Sequence, residues 1–193
     1  AALPARPLSV APRIARWVLQ GEAHDPDLQT WTTLEHLDAA AIPARPTVAA
    51  AVDGVLSALP PDERAPVFKL DARSRRDALV AARHLATARG ASLLVADFAA
   101  GERLGVRTMF QAGALAREAR LQGAVLLVLD PPASEDGVDP LGPLLIKTAG
   151  GPQPILLHGA PIGVAEPLGA NRRFLALPLP GMTLSEREGA WQE

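Results

Sequence analysis

Residues 124–130 read Ala-Val-Leu-Leu-Val-Leu-Asp, the most apolar of several short hydrophobic runs in the chain. Six apolar residues followed by an aspartate are typical of a strand that is buried on both faces, at the centre of a parallel sheet. On both sides of this run, short apolar segments alternate with segments of helical periodicity. The alternation predicts an α/β fold in which helices cover both faces of a parallel sheet.

The predicted elements fall into two regions that meet near residue 65. The second region has five predicted strands, which are 66–70, 92–98, 124–130, 154–158 and 173–177. Its predicted helices are 75–89, 106–121 and 139–148. The first 65 residues are predicted to be a helical leader. Its helices are 9–20 with Ser9 as the cap, a stretch from Asp25 or Asp27 to Leu37, and 47–59.

Composition excludes several classes of protein. The chain has 193 residues, 48% of them hydrophobic, which is enough for a core of ordinary size. It has no cysteine, which excludes disulfides, thiol catalysis and cysteine-ligated metals. A net charge of −2 gives no general attraction for nucleic acid. No apolar run approaches the roughly 18 residues of a membrane span, so we expect a cytoplasmic protein without membrane contact.

The turn after the first predicted strand is where a phosphate-binding loop would lie. Such a loop reads G-x-x-x-x-G-K-[ST], and its glycines let backbone N–H groups surround a phosphate. Residues 71–78 contain neither glycine nor lysine, and the only lysines of the chain are Lys69 and Lys147. Arg73, Arg75 and Arg76 are candidates for a vestigial anion site. The alternative reading is a solvated basic helix start.

Two further strand ends carry polar residues. Asp130 follows four apolar residues, as the magnesium-supporting aspartate of a Walker B strand does, but Pro131 stands where an active hydrolase has glutamate. His158 ends the fourth strand, where a sensor of the γ-phosphate would lie. Both side chains are also ordinary turn residues.

No nucleophile elbow and no metal-ligand spacing occurs, so we predict no catalytic residue and no metal site. Residues 117–120 are predicted to be a solvated, salt-bridged face.

These motifs, in this order, resemble the amino-terminal, degenerate nucleotide-binding module of tandem AAA+ ATPases, as in bacterial contractile injection systems. The resemblance spans about residues 9–193. The segments that carry it are the leader at 16–21 and 25–28, the strand and helix at 67–70 and 82–86, L-L-V-x-D-F at 93–98, A-R-E-A-R-L-x-G-A-x-L-L at 116–127, and L-P-L-P-G-M-T-x-x-E-R-x-x-x-W at 177–191.

The resemblance implies a three-layer, P-loop NTPase-like fold. Its parallel sheet of five strands, counted from Val67, would have the order 5-1-4-3-2, whereas 2-1-3-4-5 would indicate a flavodoxin-like sheet. Residues 1–65 would form the helical leader, and 66–193 the degenerate AAA+-like domain. The small helical lid and further modules would lie outside a chain that we expect to be a fragment.

Carried over residue by residue, the resemblance implies a damaged nucleotide site. The phosphate-loop lysine falls at or near Ala78, and the loop glycines fall on Ala72 and Asp77. The Walker B aspartate matches Asp130, while Pro131 replaces the catalytic glutamate. The fold can therefore persist without hydrolysis.

The function expected from this resemblance is that of a non-catalytic module in a larger ATPase. The module would serve ring assembly or partner docking, and the parent would use ATP and Mg²⁺ in another module to remodel protein complexes. No cofactor is expected in this fragment. Its partners would be the other AAA+ modules, further copies of the parent and other proteins, with no nucleic acid. Two alternatives are a nucleotide hydrolase with an unorthodox arginine-rich phosphate loop and a stand-alone α/β binding domain.

Overall fold

The apolar run at residues 124–130 is a strand near the middle of the sheet, between two parallel neighbours. The computed structural model describes residues 12–20, 24–38, 45–59, 65–132, 141–148, 150–159, 172–181, 183, 184 and 186. Its strands are β1 (Thr32–Glu35), β2 (Val67–Asp71), β3 (Leu93–Asp97), β4 (Val125–Leu129), β5 (Ile155–His158) and β6 (Phe174–Pro178).

The described strands form one mostly parallel sheet in the order β1-β3-β4-β5-β2-β6. Counted from β2, the five parallel strands lie in the order 5-1-4-3-2 across the sheet. The sheet has six strands rather than the predicted five, because β1 pairs antiparallel with β3 at its edge. The connection that follows β2 thus leads to β3, and β4 and β5 fill the space between these two strands.

Helices cover both faces of the sheet. They are α1 (Pro12–Gln20), α2 (Pro46–Ser57), α3 (Arg75–Ala88), α4 (Phe98–Arg103), a 3-10 helix (Thr108–Gln111), α5 (Ala112–Leu121) and α6 (Gly142–Thr148). Along β4, Leu126 and Val128 pack with α5 and α6, whereas Val125, Leu127 and Leu129 pack with α2 and α3. Side chains of a strand alternate between faces, so β4 is buried on both sides in a three-layer arrangement.

The prediction of a second helix in the leader is wrong. Residues 26–31 form turns, and residues 32–35 are β1. The apolar spacing of Leu28, Trp31 and Leu34 fits a helix, but Thr32 and Thr33 are β-branched and favour a strand. Pairing with the exposed edge of β3 also satisfies backbone groups that a separate helix would leave at the sheet edge. The leader therefore contributes a strand to the sheet.

The connection from β3 to α5 also differs from the prediction. The helix α4 follows β3 at once, because Asp97 accepts a hydrogen bond from the backbone N–H of Ala100 (2.9 Å) and so caps it. The single helix predicted for residues 106–121 is a 3-10 helix followed by α5. The remaining predicted strands and helices agree with the described elements within a few residues. Ser9, the predicted cap of the first helix, lies outside the described residues.

Candidate functional site

The carboxyl ends of the parallel strands bring several charged side chains to one edge of the sheet. Ligands of such sheets bind in the crevice at this edge, where the chain changes direction across the sheet. Asp71, Asp97 and His158 end β2, β3 and β5, and Asp130 follows β4. The arginine-rich turn leads from the end of β2 into α3. These residues define the candidate site.

The arginine-rich turn is an ordinary capped helix start. Ser74 is the N-cap of α3, and its hydroxyl oxygen accepts a hydrogen bond from the backbone N–H of Asp77 (3.2 Å). One of the N–H groups that could face a phosphate is therefore already bonded. Asp77 lies in the first turn, where its carboxylate is paired with Arg45.

Arg75 joins the two strand-end carboxylates. Its Nε donates to Oδ2 of Asp130 at 2.5 Å, and its Nη1 donates to Oδ2 of Asp97 at 2.7 Å. Its Nη2 donates to Oδ1 of Asp97 at 3.2 Å and also contacts Asp130. Burial would lower the pKa of Arg75, but the bonds to Asp97 and Asp130 outweigh it and raise that pKa above its usual value. The guanidinium is thus a fixed cation between two carboxylates.

The backbone at Asp130 has a rare conformation. Its φ is 44°, in the left-handed region that few residues other than glycine adopt. Gly159, with a φ of 71°, lies against it, and a Cβ added there would come within 2.0 Å of Oδ1 of Asp130. Only glycine fits this contact. Backbone strain of this kind is concentrated at functional sites.

The five predicted site residues are only partly brought together. Arg75 and Asp130 are in direct contact. His158 lies beside Leu129 in the register, but its buried Nδ1 has no hydrogen-bond partner among the described residues. Arg73 lies against Gly181, and Arg76 is exposed. A role of these five residues in nucleotide binding stays a prediction.

Sequence reasoning missed two residues that organise this edge. Asp97 was not predicted as a site residue, although the spacing L-L-V-x-D repeats that of the Asp130 strand and is the signal that could have found it. No sequence pattern indicated that Arg45 belongs to the site. Its buried side chain pairs with Asp77, and it lies 3.5 Å from the carbonyl oxygen of Pro180 and 4.0 Å from Oε1 of Glu186. Arg45 therefore links α2, α3 and the segment after β6.

Glu186 completes this second network. Its Oε1 accepts a hydrogen bond from the hydroxyl of Thr47 (2.7 Å), and its Oε2 accepts one from the backbone N–H of Thr183 (2.8 Å). The N–H of Glu186 donates in return to the hydroxyl of Thr183, which makes a capping box. The hydrogen bond from Thr47, followed by that from Thr183, lowers the pKa of Glu186 from 4.5 to about 2.

This pKa predicts an acid-sensitive contribution to stability. Because the folded-state pKa is depressed, the contribution is complete above pH 4.5 and is lost as the pH falls toward 2. We expect Glu186→Gln to lower the free energy of unfolding by about 2 kcal/mol at pH 6 and by much less at pH 3. Urea unfolding at both values measures this. The exposed Glu102→Gln is the control, and equal losses for the two variants would contradict the assignment.

The residues at this edge do not fit a bound magnesium nucleotide. The turn lacks the glycines of a phosphate cradle and the lysine that bridges phosphate oxygens. Two of the strand-end carboxylates, Asp97 and Asp130, are paired with Arg75. Within the described ranges, no group of three or more His, Cys, Asp or Glu side chains could hold a metal ion. None of the described helices is long and apolar enough to cross a membrane.

Comparison with known proteins gives weak structural likenesses. No protein-family model matches the chain, and no curated protein matches it. One similar solved structure is Trip13 from Rhizobiales, with a TM-score of 0.40, 12% identity, and coverage of 78% of this chain and 69% of that one. Another is in the HORMA:CdnC:Trip13 complex of E. coli MS115-1, with a TM-score of 0.35, 10% identity, and coverage of 68% and 56%. Because both TM-scores are below 0.5, these likenesses carry no argument about function. The function proposed below is argued from the strand order and the site residues.

Proposed function

We propose that this chain is a non-catalytic, AAA+-like module of a larger ATPase. The module serves ring assembly or partner docking during ATP-driven remodelling of protein complexes, as in the ATPases of bacterial contractile injection systems. ATP and Mg²⁺ are used by an intact module of the same parent. Here the sheet is kept because packing requires it, while the nucleotide site has lost its chemistry.

The observation that carries this proposal is the pairing of Arg75 with Asp97 and Asp130. In an active P-loop hydrolase, the aspartate that ends the Walker B strand supports Mg²⁺ beside the phosphates. In this chain a guanidinium neutralises that aspartate from within the protein. A magnesium ion would have to displace Arg75 and would meet its positive charge. Pro131 also supplies no group that could activate water.

The strand order gives separate support to the AAA+-like part of the proposal. The five parallel strands have the order 5-1-4-3-2, the order that the sequence resemblance implies, and not the flavodoxin order 2-1-3-4-5. The strained Asp130 at the end of β4 is also compatible with a site that once had a function.

The hydrolase alternative is less well supported by the same residues. An arginine-rich phosphate loop would need its guanidinium groups directed at the anion. Arg75 is paired with two carboxylates, and Arg73 lies against Gly181. Arg73 and Arg76 are both exposed, and they stand at a helix start whose dipole already disfavours a cation.

The proposal predicts no ATP hydrolysis by this chain. We expect the wild type and Asp130→Ala to release phosphate from ATP at the same background rate, with or without Mg²⁺. A magnesium-dependent rate about ten-fold or more above that of Asp130→Ala would contradict it. The coding sequence downstream of Glu193 separately tests the larger parent, which should contain an intact G-x-x-x-x-G-K-[ST] loop.

A further inference from the structure

A groove lies between α1, α5 and α6, away from the strand-end site. Its volume is about 480 Å³, within the range of pockets that bind ligands or side-chain anchors. Ile14 of α1 and Leu121 of α5 form apolar parts of its wall, and Gly113 of α5 forms part of its floor. Lys147 of α6 lies over that glycine, since a Cβ added to Gly113 would come within 3.3 Å of Nζ of Lys147.

Among the described residues, the charged groups that line the groove have one sign: Arg117, Arg120 and Lys147 line it, and no acidic residue does. Arg117 is 3.7 Å from Asp25, which lies outside the lining. Arg120 and Lys147 are exposed, and neither forms an ion pair within the part of the chain that the structure describes. In a chain of net charge −2, this is a local concentration of positive charge.

The helix α1 has exposed aliphatic side chains, one of which, Ile14, lines the groove with these cations. On α1, Ile14 and Val18 are four residues apart, so they lie on one face of the helix. Ile14 is 37% exposed and Val18 is 66% exposed. Aliphatic groups beside unpaired cations match a ligand that has both carboxylates and aliphatic side chains.

The same residues disfavour a nucleic acid in this groove. Proteins that bind single strands stack bases on aromatic side chains, and none of the described residues that line the groove is aromatic. The negative net charge of the chain also opposes a polyanion at longer range. A short acidic peptide carries fewer charges and can also bury an aliphatic side chain.

We propose that this groove binds an acidic, amphipathic segment of a partner protein. Carboxylates of the segment pair with Arg120, Lys147 and Arg117, and an aliphatic side chain packs against Ile14 and Leu121. The inference gives a place and a chemistry to the docking role proposed above. It concerns a site separate from the strand ends, so ATP and peptide titrations test the two proposals independently.

The test uses the whole chain and a labelled helical peptide that has Glu and Leu four residues apart on one face. We expect saturable binding by fluorescence anisotropy with a micromolar Kd, and about ten-fold or weaker binding when Gln replaces Glu in the peptide. Arg120→Glu combined with Lys147→Glu should weaken binding by about 100-fold. The control is Arg89→Glu, which also reverses a charge at a helix end but on the opposite face of the sheet, and it should leave the Kd unchanged.

Three results would overturn the proposal. One is the absence of saturable peptide binding, and another is equal binding by the double variant when its circular dichroism matches the wild type. The third is tighter binding of an oligo-dT strand or of phosphatidylserine vesicles than of the peptide. If the double variant does not fold, the Ile14→Asp variant replaces it, because Ile14 is partly exposed and should tolerate the change.

Discussion

Replacing Arg13 with alanine is expected to lower the free energy of unfolding by about 3–5 kcal/mol, because it leaves a buried carboxylate without its partner. The side chain of Glu118 is 0% exposed, and that of Arg13 is 5% exposed. Nε and Nη2 of Arg13 each donate to one carboxylate oxygen of Glu118 at 2.7 Å. The amide of Gln122 also donates to Glu118 (2.9 Å). Urea unfolding at neutral pH measures the loss.

A half-buried ion pair provides the matched control. Arg83 forms the same two-pronged contact with Glu35, at 2.8 and 2.9 Å, but both side chains are partly exposed to water. We expect Arg83→Ala to cost about 1 kcal/mol or less. Equal losses of unfolding free energy for Arg13→Ala and Arg83→Ala would show that burial of the Arg13 pair contributes nothing to stability.

The Arg13 pair also has a predicted pH dependence. Burial would raise the pKa of Glu118, but the hydrogen bonds from Arg13 and Gln122 outweigh it and lower that pKa below its usual 4.5. A depressed carboxyl pKa means that the stabilisation is complete above pH 4.5 and is lost as the pH falls below it. The stability difference between wild type and Arg13→Ala should therefore narrow in acid.

Replacing Trp31 with alanine is expected to lower the free energy of unfolding by a similar amount, about 3–5 kcal/mol, because it leaves a large cavity in the core. Trp31 is 3% exposed, and its ring meets that of Phe98 edge to face with centroids 5.2 Å apart. Its backbone carbonyl accepts a hydrogen bond from the N–H of Asp97, one of the carboxylates that hold Arg75. Thermal and urea unfolding both report this loss.

Trp31→Phe separates the packing of the ring from its polar atom. Nε1 of Trp31 is buried without a hydrogen-bond partner among the described residues, so the phenyl ring removes a desolvated donor while it keeps most of the apolar contact. We expect a loss of about 1 kcal/mol or less for this variant. A loss as large as that of Trp31→Ala would contradict the packing role.

The central strands of the sheet were predictable because they are apolar on both faces. Runs such as 93–97 and 125–129 allow no other placement than the interior, and the helices between them have one apolar stripe each. Local periodicity was enough for these elements. The pairing of Arg75 with Asp130 was not predicted, although both residues were singled out, because a contact between residues 55 positions apart has no local signal.

The leader was misread because its structure depends on distant partners. Thr32–Glu35 becomes a strand only by pairing with β3, which local spacing does not reveal. Glu118 was read as part of a solvated face, yet it is fully buried because Arg13 satisfies its charge from another helix. A charged residue amid alanines is ordinarily exposed, and only the tertiary partner overrides that rule.

Calorimetric titration of this chain with magnesium ATP tests the claim that it has no working nucleotide site. We expect no saturable heat at ligand concentrations of about 1 mM, because Arg75 holds Asp97 and Asp130 and the turn offers no phosphate cradle. Saturable binding with a micromolar Kd that is lost in Asp130→Ala would contradict the claim and would indicate a working nucleotide site.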